Sequence, residues 1–182
     1  MHWSPRLFSR AAGGAGALVG IVWLVPVFAI YFALRVLHAG PRPRLGRAAL
    51  LALAGLGVIV LGVIALRKMH PGPVTTLAAL GLVSLVGLVI AYRGWPELGR
   101  VLVAYGLAAR IPVAIVMLVA LGIGWGTHYE KGPSNFPVMG LLGTWFWIGA
   151  VPQLTAWMAF TVIVGILVGA ATGALMRVER QV

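Results

Sequence analysis

The sequence predicts an all-α, polytopic transmembrane bundle of about five spans, and three observations predict it. Five long apolar runs, residues 11–37, 48–66, 73–92, 101–125 and 154–176, make up most of the 182-residue chain. Each meets or approaches the roughly 20 apolar residues that a helix rising ~1.5 Å per residue needs to cross a hydrocarbon core ~30 Å thick. Charged residues are few, 9% of the chain against 61% hydrophobic, and nearly all stand at the ends of the runs. A water-soluble domain carries about a quarter charged residues. Residues 1–182 therefore read as a single integral membrane domain whose first partner is the lipid bilayer.

The first run follows a basic segment containing Arg6 and Arg10. It is longer than the roughly 7–15 apolar residues of a signal peptide, and no small-x-small cleavage site ends it, so it is expected to remain as a span. Pro26 falls mid-run and predicts a kink, which membrane helices tolerate. Gly16 and Gly20, four residues apart, place two small residues on one helical face. The first connection, His38-Ala39-Gly40-Pro41-Arg42-Pro43-Arg44, is a turn rich in Pro and Gly. After the second run, Met69-His70-Pro71-Gly72-Pro73 makes another break, and its last proline suits the first turn of a third helix.

The fourth run holds Arg110, the only charge inside an apolar stretch. A helix beginning near Val101 puts Arg110 ~13 Å along its axis, close to mid-bilayer, where an arginine costs about 2.5–3.5 kcal/mol and marks a substrate path or an ion pair. The alternative starts a helix at Arg110, with Pro112 in its first turn. Residues 97–109 then form an interfacial helix and Arg110 lies at the headgroups. No acid of the chain is expected within reach of Arg110. The fourth connection, residues 126–152, reads as a long outer loop with an aromatic patch, Trp145-Phe146-Trp147, in the headgroup region. Within it, residues 140–150 read as a short interfacial helix or a re-entrant turn. In the last run Gly165, Gly169 and Gly173 recur every four residues, a face for close helix packing, more readily inside the chain than with a second copy.

Counting Lys and Arg in the connections sets an orientation. One side holds five: Arg6, Arg10, Arg67, Lys68 and Lys131. The opposite side holds eight: Arg35, Arg42, Arg44, Arg47, Arg93, Arg100, Arg177 and Arg180. The excess places the C-terminus in the cytoplasm and the N-terminus outside. The preference for Gly, Ala and Arg over Lys points to a bacterial source and hence to the inner membrane.

Chemistry has little raw material. Cysteine is absent, which removes disulfides and thiolate sites. The only acidic side chains are Glu97, Glu130 and Glu179, on three separate segments, so paired-carboxylate hydrolysis and carboxylate metal cages are excluded. His70, His128, Tyr129 and Glu130 fall on the same outer face and form a candidate polar site, yet no two stand at ligand spacing. No metal, cofactor or catalytic residue is expected. The net charge of +11 comes from residues at span ends and not from a basic stripe interleaved with aromatics, which excludes nucleic acid.

Three functional readings follow. The first is a non-catalytic accessory or scaffold subunit of a membrane complex, with other membrane-protein subunits or further copies of itself as partners. The second is a small homo-oligomeric transporter or channel for an anionic or neutral solute using Arg110. The third is an interfacial enzyme acting on lipid or quinone through His128 and Glu130.

Overall fold

The structure, a computed structural model, describes residues 21–40 and 43–179. Gly16 and Gly20 lie outside these residues. The chain folds as an all-α bundle: a 3-10 turn Ile21–Trp23, then α1 (Leu24–Ala39), α2 (Leu45–Met69), α3 (Pro73–Tyr92) and α4 (Pro96–Ile123). After a 3-10 turn at His128–Glu130 come α5 (Leu141–Trp145), a π-helical turn Phe146–Ala150, α6 (Val151–Leu154) and α7 (Ala156–Glu179). No strand occurs among the described residues.

Local chemistry sets the ends. Pro73 and Pro96 open α3 and α4, where a missing N–H is no loss. Gly124, at φ +75°, closes α4 with its N–H on the Ala120 carbonyl. His70 closes α2 at φ +48°, an unusual conformation for a residue with a Cβ, with its N–H on Leu66 O. Pro26 is the third residue of α1, where proline is tolerated, just after the 3-10 turn Ile21–Trp23, and the earlier residues of the predicted span lie outside the described residues.

Among the described residues, four apolar segments are long enough to cross a membrane: α2, α3, α4 and the nearly continuous helical run Leu141–Met176. The described part of the first span, α1, is shorter at 16 residues. The last run is the axis of the bundle, since α7 contacts α1, α2, α3 and α4. In its apolar window 56% of the residues are buried, against 11% for the peripheral α2.

Side-chain size is inverted relative to a soluble protein. The core is rich in small residues, among them Ala29, Ala33, Ala48, Ala52, Ala91 and Ala159. Large aliphatics such as Leu50, Leu61, Leu82, Ile115 and Ile123 stand exposed on the outside. Water would penalise such a surface, whereas lipid accepts it and leaves close backbone packing to hold the helices together. Gly165, Gly169 and Gly173 receive side chains. A Cβ on each would fall 2.6 Å from a Leu102 methyl, 2.5 Å from one of Leu98, and 3.0 Å from one of Leu45. The glycine face of α7 is therefore filled from α4 and α2 of the same chain.

Several sequence boundaries need correction. The outer loop does not extend over residues 126–152, because helix resumes at Leu141 and only Gly124 to Gly140 forms the connection. Gly143, Thr144 and Gly149 interrupt the hydropathy of this stretch without interrupting its backbone. The aromatic patch lies on that helical run beside α4. Helix α4 begins at Pro96 instead of residue 101 and passes through Arg110 unbroken, so the alternative of a new helix starting at Arg110 does not hold.

Candidate functional site

One face of α4 presents Leu98, Leu102, Gly106, Arg110, Ala114 and Met117, all buried. The antiparallel run from α5 to α7 answers it step by step. Gly169 meets Leu98, Gly165 meets Leu102, and Gly106 meets Met158 and Thr161. One turn further along, the facing pairs become polar. Arg110 meets Gln153 and Trp157, and Trp145 donates its indole N–H to the Ala114 carbonyl at 2.8 Å.

Arg110 is the fifteenth of the 28 residues of α4 and only 4% exposed. Its Nη1 donates to Gln153 Oε1 at 3.5 Å, at the outer limit of a hydrogen bond. Its guanidinium carbon lies 4.8 Å from the ring centre of Trp157, a cation–π contact. Its Nε is buried and has no hydrogen-bond partner among the described residues. Gln153, 8% exposed, in turn directs its amide Nε2 to the thioether of Met117 at 3.8 Å, a weak acceptor.

No acid compensates this cation among the described residues. Glu97 is exposed at the start of α4, 13 residues and ~20 Å away along the helix. Glu130 is committed elsewhere: its carboxylate accepts the N–H of Gly126 at 3.0 Å, and the N–H and hydroxyl of Thr127 at 3.1 and 3.3 Å. A guanidinium does not lose its proton in proteins. The site is a permanent charge in an apolar interior.

Backbone irregularity converges on the same level. Pro112, two residues past Arg110, leaves the Ala108 carbonyl without its usual helical donor. On the facing run the π turn Phe146–Ala150 leads into Pro152, which cannot donate to Ile148. Thr155 then leaves helical geometry at φ −120° and ψ −75°, and its hydroxyl donates to the Val151 carbonyl at 2.7 Å. Non-helical backbone at membrane depth is tolerated where it is buried in protein or lines a cavity, and π turns are frequent at functional sites.

The other candidate residues do not gather into one site. His128, Tyr129 and Glu130 form one 3-10 turn, with the His128 and Tyr129 rings 4.1 Å apart. His70 belongs to the turn between α2 and α3, with Nδ1 3.1 Å from the Lys68 carbonyl, at the edge of an open depression that also touches Arg67, Thr76 and Leu80. No group of three or more His, Cys, Asp or Glu able to hold a metal occurs among the described residues.

The Glu130 turn is pH-sensitive by construction. The Thr127 N–H, with smaller contributions from neighbouring donors, holds the Glu130 carboxyl below the ordinary carboxylate range. A depressed folded pKa stabilises the turn above the unfolded value of ~4.3, and this stabilisation is lost as pH falls through the folded pKa. Going from about pH 6 to about pH 3, amide protection factors at Gly126 and Thr127 are expected to fall. In Glu130→Gln they are expected to be low and unchanging. Wild-type protection at about pH 6 no higher than that of Glu130→Gln would mean that the carboxylate does not hold the turn.

The sequence reading leaves Gln153 and Trp145 in a loop because it begins the last span at Leu154, and it gives Trp157, inside that span, no role because its partner lies 47 positions away. A signal was present. Gln153, Trp157, Thr161, Gly165, Gly169 and Gly173 form one uninterrupted series at four-residue spacing, of which only the glycine half stood out. Comparisons of the chain with models of known protein families, with curated proteins and with solved structures find no match.

Proposed function

We propose that this chain is a small membrane transporter or channel for anionic solutes, with Arg110 as the residue that receives the solute. The carrying observation is a permanent cation, 4% exposed, with one long hydrogen bond, an unpartnered Nε and no acid beside it. Intramembrane charges that face the bundle interior mark substrate and ion paths. The irregular backbone around Pro112, the π turn and Thr155 supports the reading, because broken helices near the bilayer midplane are where carriers bind their cargo. Five helices leave little room for a route through one chain, so the working unit is a homo-oligomer. The preference for Gly, Ala and Arg over Lys favours the inner membrane of a bacterium, and the charge asymmetry of the connections favours the N-terminus outside and the C-terminus in the cytoplasm.

Flux through reconstituted vesicles tests this. Protein purified in mild detergent and placed in liposomes is expected to dissipate a gradient of a small anion such as formate. Arg110→Gln, folded to the same extent, is expected to leave the gradient at the rate of empty liposomes. Equal flux from both proteins would remove Arg110 from the path.

The second reading, an accessory subunit of a larger complex, has its own support in α2. Only 11% of its apolar window is buried, and Leu50, Leu53, Leu61 and Ile64 form an open face that another membrane protein could cover as readily as lipid. Native mass spectrometry of protein extracted from its own membrane separates the two. Stoichiometric foreign subunits favour the accessory role, and a closed homo-oligomer favours transport.

A further inference from the structure

Building on Arg110 as the solute-receiving residue, we infer that the site selects a monovalent carboxylate, and that Gln153 supplies the second contact. Among the side chains that meet at Arg110, the unmet hydrogen-bonding capacity is on the donor side. Arg110 Nε has no partner, Nη1 reaches Gln153 Oε1 only at 3.5 Å, and Gln153 Nε2 is left with the Met117 sulfur at 3.8 Å. The one side-chain amide oxygen present, Gln153 Oε1, is already engaged by Nη1. The ligand that completes such a set offers acceptors and brings no donors of its own. An ionised carboxylate is acceptor-only, with two oxygens.

Geometry narrows the class further. The Nε–H and an Nη–H of a guanidinium form a rigid planar fork that matches two coplanar carboxylate oxygens. The Arg110 guanidinium carbon lies 4.8 Å over the Trp157 ring, an aromatic surface that offers the fork no acceptor oxygen. Gln153 Nε2 exchanges its weak sulfur acceptor for a carboxylate oxygen at little loss.

Charge fixes the valence. One cation without an acidic neighbour is neutralised by one negative charge. A dianion such as sulfate leaves a net −1 among apolar helices, and uncompensated buried charge is strongly disfavoured. Gln153 adds dipole but no charge, so among the described residues that meet at Arg110 no second cation balances another negative charge.

The experiment is calorimetric titration of the detergent-solubilised full-length protein with formate, acetate, sulfate and oleate. Formate and acetate are expected to bind saturably, and sulfate at least about tenfold more weakly. Gln153→Leu, checked for an unchanged thermal unfolding profile, is expected to weaken formate about tenfold, the loss of one hydrogen bond to a charged group. Arg110→Lys keeps the charge without the fork, and formate is expected to bind it more weakly than wild type. Oleate competing far below the concentrations at which acetate competes would assign the carboxylate to an acyl chain entering from the bilayer. Comparable potency of the two would assign it to a dissolved solute. Sulfate binding as tightly as formate, or a Gln153→Leu protein that binds formate normally, would overturn the monovalent-carboxylate assignment while leaving Arg110 as an anion site. Formate binding unchanged in Arg110→Gln would overturn that site and the transport reading together.

Discussion

Arg110→Met is expected to melt at a higher temperature than the wild-type protein while losing its response to anions. Methionine keeps the length and flexibility of the side chain and removes the charge. The terms on the wild-type side are unequal. A cation–π contact contributes about 0.5–2 kcal/mol, and a good hydrogen bond to a charged group about 1.5–3, of which a 3.5 Å contact supplies only a part. Against these stands the desolvation of the guanidinium of a residue only 4% exposed, several kcal/mol per ion even after relaxation, plus an unsatisfied Nε. Replacing buried charges by apolar groups of similar volume elsewhere has been neutral or stabilising by about 1–4 kcal/mol. A gain of about 1–3 kcal/mol, or several degrees in a thermal scan, is therefore the expected result. Gln153 loses its Nη1 contact in that variant, so Arg110→Met with Gln153→Leu should gain more than the single change. A lower melting temperature for Arg110→Met would mean that the guanidinium holds the α4 to α7 contact together, and that its burial is structural rather than functional.

That trade between stability and function explains which parts of the molecule were legible in the sequence. The third helix has the same bounds, Pro73–Tyr92, by apolar pattern and in the structure, because Pro-Gly-Pro starts it and Arg93-Gly94 ends it. Arg110 was visible because one charge in an apolar run has no local explanation. Its partners were not visible. Gln153 and Trp157 are separated from it by more than 40 residues, and the stretch before Leu154 carries Gly143, Thr144, Gly149 and Pro152, which read as loop residues. Those are the residues of the π turn and its surroundings, whose irregular backbone is held by tertiary contacts such as Trp145 to Ala114. Local pattern reads well where the backbone is regular and fails where packing holds it in a less regular form. Gly55 and Gly87 were illegible for a different reason. In a chain with 25 glycines, spacing alone does not say which of them face a neighbour.

Gly55→Ala is expected to be the most damaging single methyl that can be added to the α2–α3 hairpin. A Cβ at Gly55 meets the backbone carbonyl of Gly87, and a Cβ at Gly87 would stand 2.7 Å from the Gly55 carbonyl oxygen, so the two backbones are in mutual contact. A backbone oxygen in a hydrogen-bonded helix cannot rotate aside as a leucine methyl can. The helices must separate, and every contact on either side of the crossing loosens with them, including Ala48 against Gly94. Overpacking of this kind costs about 1–3 kcal/mol, and in lipid no hydrophobic drive restores the lost contact. Gly57, on the same helix, provides the control: a Cβ there has nothing within 4 Å. Gly57→Ala is expected to be neutral or to stabilise by up to about 0.8–1 kcal/mol through helix propensity alone. Gly165→Ala should fall between them, because its Cβ meets the movable methyls of Leu102 and not a carbonyl. Thermal unfolding of the three variants in one detergent should therefore rank Gly57→Ala above Gly165→Ala above Gly55→Ala. If Gly55→Ala and Gly57→Ala melt together, α2 and α3 do not approach at backbone distance, and the hairpin is held by side chains such as Ile59 and Val83 instead.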